Sequence, residues 1–229
     1  MTLLNVRDLR VTFDTETGPV EAVRGVSFSL GRERLGIVGE SGSGKTMTGR
    51  SVLRLIRPPG RIDAAEMTFD GIDLMRANEA QMRALRGPRM AMVMQDPKFS
   101  LNPVMKVGAQ LMEGLRQRDH ASRAEAREKA LAALAAVQIR DPERVMGAYP
   151  HELSGGMGQR VMIAMMLIPN PDLLIADEPT SALDVTVQAE VLSILDGLVR
   201  DRGMGLIFIS HDLRMVARFC DRVLVMNKG

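Results

Sequence analysis

The segment "GESGSGKT", Gly39 to Thr46, has the spacing G-x-x-x-x-G-K-[ST]. Glycines let consecutive backbone N–H groups close around phosphate oxygens, and a helix that follows turns its positive end toward the same charge. In that chemistry Gly39, Glu40, Ser41, Gly42, Ser43 and Gly44 form the cradle. Lys45 reaches the terminal phosphates, and the Thr46 hydroxyl ligates Mg²⁺. The alternative is a Gly/Ser-rich turn with a chance lysine. The apolar "RLGIV" before it and the helix-like "TMTGRSVLRLI" after it supply the strand and helix that the phosphate-binding motif requires.

What stands opposite such a cradle decides the reaction. "LLIADEP", Leu173 to Pro179, delivers two carboxylates at the end of an apolar strand, where open α/β sheets place their ligands. Asp177 fits a Mg²⁺ partner acting through water. Glu178, one position on, aims elsewhere and fits a base that polarises an attacking water; a solvated turn before Pro179 is the alternative. Gln95, closing "AMVMQ", either orients water and Mg²⁺ near a γ-phosphate or is an edge-strand glutamine. His211, after "LIFIS", either bonds a γ-phosphate as neutral imidazole, with Asp212 influencing its orientation, or is structural. His120 lies in a polar stretch and reads as solvated, while His151 adjoins a second serine-glycine segment. That segment, "HELSGGMGQR", has the composition of a phosphate loop but no lysine beside its glycines.

Several elements must position these groups. "LLNVRDLRVTF" and "AVRGVSFSL" alternate apolar and polar residues around the turn-rich "DTETGPVE". "AAEMTFDGIDL" predicts a strand pair about a tight Asp70-Gly71 turn, and "MAMVMQDP" a buried strand. From about Val107 to Val145 the pattern is helical. Then helices "GQRVMIAMMLI", "VQAEVLSILDGLVRD" and "LRMVARFC" alternate with strands "LLIAD", "GLIFIS" and "RVLVM". The fold class is therefore α/β. Residues 1–99 and 156–229 are expected to form a β subdomain plus an α/β core, with a helical subdomain at about 100–155.

The 229 residues are 45% hydrophobic and 25% charged, an ordinary globular balance. A formal net charge of +2 argues against a nucleic-acid partner. Cys220 is the one cysteine and cannot form an internal disulfide. The N-terminus lacks a signal peptide's apolar core, and no apolar run reaches the length of a transmembrane helix. The 18 methionines read as adaptable packing.

In order along the chain, the phosphate loop, Gln95, "LSGGMGQR", "LLIADEP", "SALD" and "ISHD" resemble the ATP-binding cassette (ABC) ATPases. The resemblance covers essentially the whole chain. It implies a P-loop cassette with a RecA-like core, an N-terminal antiparallel β subdomain and an inserted helical subdomain, using ATP and Mg²⁺. It further implies a head-to-tail dimer in which Ser154, Gly155 and Gly156, followed by a helix from about Gly158, serve the partner's ATP. Ser181 to Asp184 would communicate across that dimer, and Phe13 falls where an aromatic ring stacks on adenine, a packed core Phe being the alternative. The commonest signature has Gln where this chain has Met157, which cannot donate amide hydrogen bonds; Gln159 follows two residues later.

"QDPKFSLNPVMKVGAQLMEGL", the "YPHELSGGMGQRVMIAMML" run and "LLIADEPTSALDVTVQAEVL" resemble, more narrowly, the ATPase subunits of bacterial dipeptide, oligopeptide and nickel importers. That implies a related but distinct ATPase partner, so a heterodimer ahead of a homodimer. It also implies two membrane permease subunits docking near Asp96 to Gly114, and indirectly an extracytoplasmic solute-binding protein. The protein would sit peripherally on the cytoplasmic face of the bacterial inner membrane. Members of that subfamily extend further, often with a cysteine-containing tail, an extension expected to be absent here. A soluble ABC ATPase acting in DNA repair or translation is the alternative. A P-loop kinase would leave "LSGG" and "SALD" unexplained.

Overall fold

A computed structural model describes residues 2–94, 101–118, 120–181 and 183–229. Two sheets dominate. The first is antiparallel: β1 (Leu4–Thr15) lies between β2 (Gly18–Leu30) and β5 (Glu66–Phe69), β6 (Ile72–Asp73) continues from β5, and β4 (Gly60–Asp63) pairs the far half of β1. The second is parallel throughout, in the order β10 (Arg222–Met226), β3 (Arg34–Gly39), β9 (Gly205–Ser210), β8 (Leu173–Asp177), β7 (Met90–Val93).

Alternation in β1 is real but broken. Asp8 takes a left-handed φ of 50° and the register shifts between Val6 and Leu9, so Leu4, Val6, Leu9 and Val11 still all face inward. The stretch "DTETGPVE" is mostly strand, with only Glu16 and Thr17 between paired Thr15 and Gly18. The expected Asp70-Gly71 turn forms, with φ of 47° and 78°. Two elements carried no period strong enough to mark them: β4, and α2 (Glu79–Leu85), which Asn78 and Gln81 open with a capping box.

The parallel strands are apolar on both faces. Ile37, Ile175, Ile207 and Ile209 join one core cluster with the antiparallel sheet, and Val38, Leu174, Ala176, Leu206 and Phe208 join a second, packed against helices. Helix α1 (Lys45–Val52) abuts the first of these faces, where a Cβ on Gly49 would touch Ile175 and Ile209 at 3.1 Å. It is shorter than "TMTGRSVLRLI" predicts. Arg54 turns left-handed (φ 50°) and Leu55 N–H bonds back to Arg50 O at 2.9 Å, ending the helix before the second apolar pair.

Helices α3 (Val107–Arg118), α4 (Arg123–Ala136) and α5 (Pro142–Gly147) fill the expected helical stretch and pack on one another. α6 (Gly155–Leu167) connects them to the sheet through β7, and α7 (Val185–Arg202) and α8 (Leu213–Phe219) complete the set. No helix among the described residues is long and apolar enough to cross a membrane. Cys220 is free and its thiol is pushed up to about 12 by burial, so it stays protonated.

Candidate functional site

Strand β3, flanked by β10 and β9, runs straight into the phosphate-loop motif. Gly42 and Gly44 hold φ of 79° and 96°, a left-handed conformation that side chains resist. Gly44 is also crowded: a Cβ there would lie 2.4 Å from the Ala22 carbonyl oxygen. It caps α1 without a side-chain hydrogen bond, and the helix has no acidic residue in its first turn. The helix's positive end is thus uncompensated by any carboxylate of that turn. Lys45 is 6% exposed, and its ammonium donates to the carbonyls of Gly39 (2.8 Å) and Glu40 (2.7 Å).

β8 brings its carboxylates to the same edge of the sheet. Asp177 is buried and accepts from the Thr46 hydroxyl at 3.0 Å. Burial pushes its carboxyl above the usual range; the Thr46 donation opposes this, and the neighbouring Glu178 charge adds to it. A desolvated carboxylate beside a hydroxyl is an oxygen donor set that suits a small, hard cation also held by phosphates and water. The residues present therefore fit Mg²⁺.

Glu178 departs from strand geometry. Its φ is 48°, although a residue before proline is normally driven to extended backbone. Its N–H donates to Ile209 O (2.9 Å), and its carbonyl accepts from both the N–H (3.1 Å) and the hydroxyl (2.9 Å) of Ser181. The carboxylate Oε1 lies 3.2 Å from His211 Nδ1. His211 stands at the end of β9 and is largely exposed. Asp212 does not orient it: that carboxylate caps α8, accepting from Met215 N–H at 3.0 Å. A helix start directly after the histidine claims the aspartate.

The lysine-free segment is built differently. The helix begins at Gly155 rather than about Gly158, so both signature glycines belong to its first turn. Ser154 is the N-cap, its Oγ accepting from Met157 N–H at 3.3 Å. A serine hydroxyl that accepts in this way still has its O–H to donate. The first turn again has no acidic residue. Gly156 has a packing reason as well: a Cβ there would stand 2.4 Å from Val187 Cγ1 on α7. Met157 packs its partly buried side chain against the helix-side core. Gln159 is 2% exposed inside α6, so its amide cannot replace the missing signature glutamine at the surface.

Thr46, Asp177, Glu178 and His211 are thus brought together beside Lys45 at one edge of the parallel sheet. Ser154, Gly155 and Gly156 instead lie at the start of α6, which packs on β7, α3, α4 and α7. Gln95 lies outside the described residues, as does part of the stretch Asp96 to Gly114. Phe13 is half-buried on β1, opposite Val20 and Gly60. His120 is exposed, as its polar surroundings suggest, and His151 is exposed and stacks on Tyr149 with centroids 5.6 Å apart. Sequence reasoning missed Ser181 as a partner of Glu178; the Glu-Pro-Thr-Ser order, a tight turn, was the available signal.

A model of one protein family, described as ABC transporter, matches residues 23–181. Among curated proteins, the oligopeptide transport ATP-binding protein OppD of Escherichia coli is 51% identical over 99% of this chain and 67% of its own length. The dipeptide transport ATP-binding protein DppD of the same organism is 46% identical over 100% of this chain and 70% of its own length. The chain thus spans about two thirds of the length of the curated relatives it matches. Among solved structures, the dimeric bacterial ABC transporter cassette MJ0796 is similar with a TM-score of 0.87 and 28% identity, over 99% of this chain and 95% of that one.

Proposed function

The chain belongs to the ABC transporter family, as an ATP-binding and ATP-hydrolysing cassette, and from that premise we propose that it energises an importer of peptides or of a related solute such as nickel. Separate membrane permease subunits form the path, with an extracytoplasmic solute-binding protein delivering the cargo. The cassette works from the cytoplasmic face of a bacterial inner membrane. The likeness to oligopeptide and dipeptide transport proteins supports the solute class.

The observation that carries the chemistry is the pairing of Glu178 with His211 one residue beyond the Thr46–Asp177 bond. ATP lies on the Gly39–Thr46 backbone with Lys45 on its terminal phosphates. Thr46 and Asp177, with Gln95, would hold Mg²⁺, Asp177 through water. When bound, the ion neutralises charge on the phosphate oxygens. Glu178 orients and deprotonates the attacking water, and His211, whose Nδ1 lies 3.2 Å from the carboxylate, bonds the γ-phosphate. Phe13 supports the adenine. Ser154, Gly155 and Gly156 serve the ATP of a second cassette packed head to tail, a related but distinct chain. The dimeric form of MJ0796 supports the pairing of two cassettes.

Glu178→Gln tests the core of this reading. It keeps the amide near His211 but removes the base, so turnover should fall by about 10²–10⁴ while ATP binding persists. Undiminished turnover would remove Glu178 from the role. Stimulation of the assembled complex by a peptide-loaded binding protein, and not by a nickel-loaded one, would fix the solute class.

A further inference from the structure

We propose that the Ser181 hydroxyl is a positioning residue that latches Glu178 in its left-handed backbone conformation and so aims the carboxylate. The inference rests on Glu178 being the base. Two preferences oppose the observed φ of 48°: a β-carbon resists the left-handed region, and the proline that follows favours extended backbone. A backbone held against both needs bonds on both sides. On one side Glu178 N–H is fixed to Ile209 O at 2.9 Å. On the other, the Glu178 carbonyl takes two donors from one residue, the Ser181 N–H at 3.1 Å and its Oγ at 2.9 Å.

Relaxation to a negative φ would swing the Cα–Cβ bond to another face of the chain and carry the carboxylate away from His211. Ser181 therefore sets where Glu178 points by way of the backbone. The rest of the turn is anchored independently. Buried Thr180 accepts from Gln188 Nε2 at 3.3 Å on α7, and its hydroxyl contacts Met215 Sδ at 3.7 Å on α8. Loss of the Ser181 hydroxyl should release one bond and leave the turn seated.

The test compares Ser181→Ala, Ser181→Thr and Glu178→Gln in steady-state ATP hydrolysis. Ser181→Ala should lower kcat about tenfold, the order expected for one positioned hydrogen bond, with KM for MgATP unchanged. Ser181→Thr, which restores the hydroxyl, should recover most of the rate. ATP-driven dimerisation of Glu178→Gln should survive addition of Ser181→Ala. An unaltered kcat in Ser181→Ala, a loss expressed in KM, failure of threonine to rescue, or loss of the dimer would each overturn the latch. If Glu178→Gln itself turns over normally, the base assignment fails instead, whatever Ser181→Ala does.

Discussion

In Gly39–Thr46 the backbone winds through left-handed positions at Gly42 and Gly44, whereas in Ser154–Gly158 the glycines are the opening turn of α6. Composition makes the two segments look like versions of one device. In the first, Gly42 is needed for its torsion angle alone, since a Cβ there would meet nothing within 4 Å, yet φ is 79°, while Gly44 is needed for torsion and space together. In the second, Gly156 is needed for space, because Val187 occupies the position its side chain would take. The first also carries a buried lysine inside its own loop; the second offers a capping serine and an uncompensated helix end, and no cation of its own. A phosphate site can therefore be divided, with charge on one surface and dipoles on another.

The sharpest way to break this comparison is through binding. Lys45→Ala should weaken ATP binding to the isolated chain by about 100-fold, the scale of losing charge-assisted contacts to phosphate, as calorimetry would measure. Ser154→Arg should leave that binding intact and abolish ATP-driven dimerisation in gel filtration. If Ser154→Arg lost binding as a monomer, the second loop would serve its own nucleotide.

Stability separates the two uses of glycine at smaller scale. Gly156→Ala should cost about 1–3 kcal/mol by overpacking, and Val187→Ala in the same chain should return part of it. Gly42→Ala should cost about 1–2 kcal/mol from the left-handed backbone alone. No neighbouring truncation should relieve it, but Gly42→Asn should be milder, since asparagine tolerates that region. Denaturant midpoints decide; rescue of Gly42→Ala by trimming a neighbour would collapse the distinction.

The smallest effect is a proton. Asp177 binds its proton more tightly than an ordinary aspartate, and the proposed Mg²⁺ site would need the carboxylate. Nucleotide affinity measured with Mg²⁺ should decline as pH falls through that raised value, with proton release on binding detectable from buffers of different ionisation enthalpy. Asp177→Asn should remove the release, while Ser154→Arg should leave it unchanged, placing the titration wholly on the lysine-bearing side.

Much of this was legible in the residues. β3 and β8 are apolar runs ending in glycine and carboxylate, β9 is one followed by histidine, and such runs have few alternatives to a buried parallel sheet. What stayed hidden depends on partners far along the chain. Nothing local indicates that Val187 will face Gly156, or that Arg54 will end α1 by turning left-handed while its guanidinium reaches the Leu74 carbonyl at 3.1 Å. Asp212 adjoins His211 in sequence, yet the helix beginning after it takes the carboxylate. Met157 departs from the commonest signature, and its side chain packs against the core.

The order of strands in the parallel sheet has a consequence for how the protein is made. β3, which carries the phosphate loop, has for neighbours β9 and β10, pairing Leu35 with Ile207 and Arg222. At translation rates of about 5–20 residues per second, the nascent loop must wait on the order of ten seconds or more for either flanking strand to emerge from the ribosome. Until then the loop has only β2, beside Gly44, and no parallel neighbour for the strand that carries it. The antiparallel β1–β2 ribbon, whose partners are sequence neighbours, can form at once. ATP should therefore be useless to the half-synthesised chain and able to trap only one whose last parallel strand has already arrived.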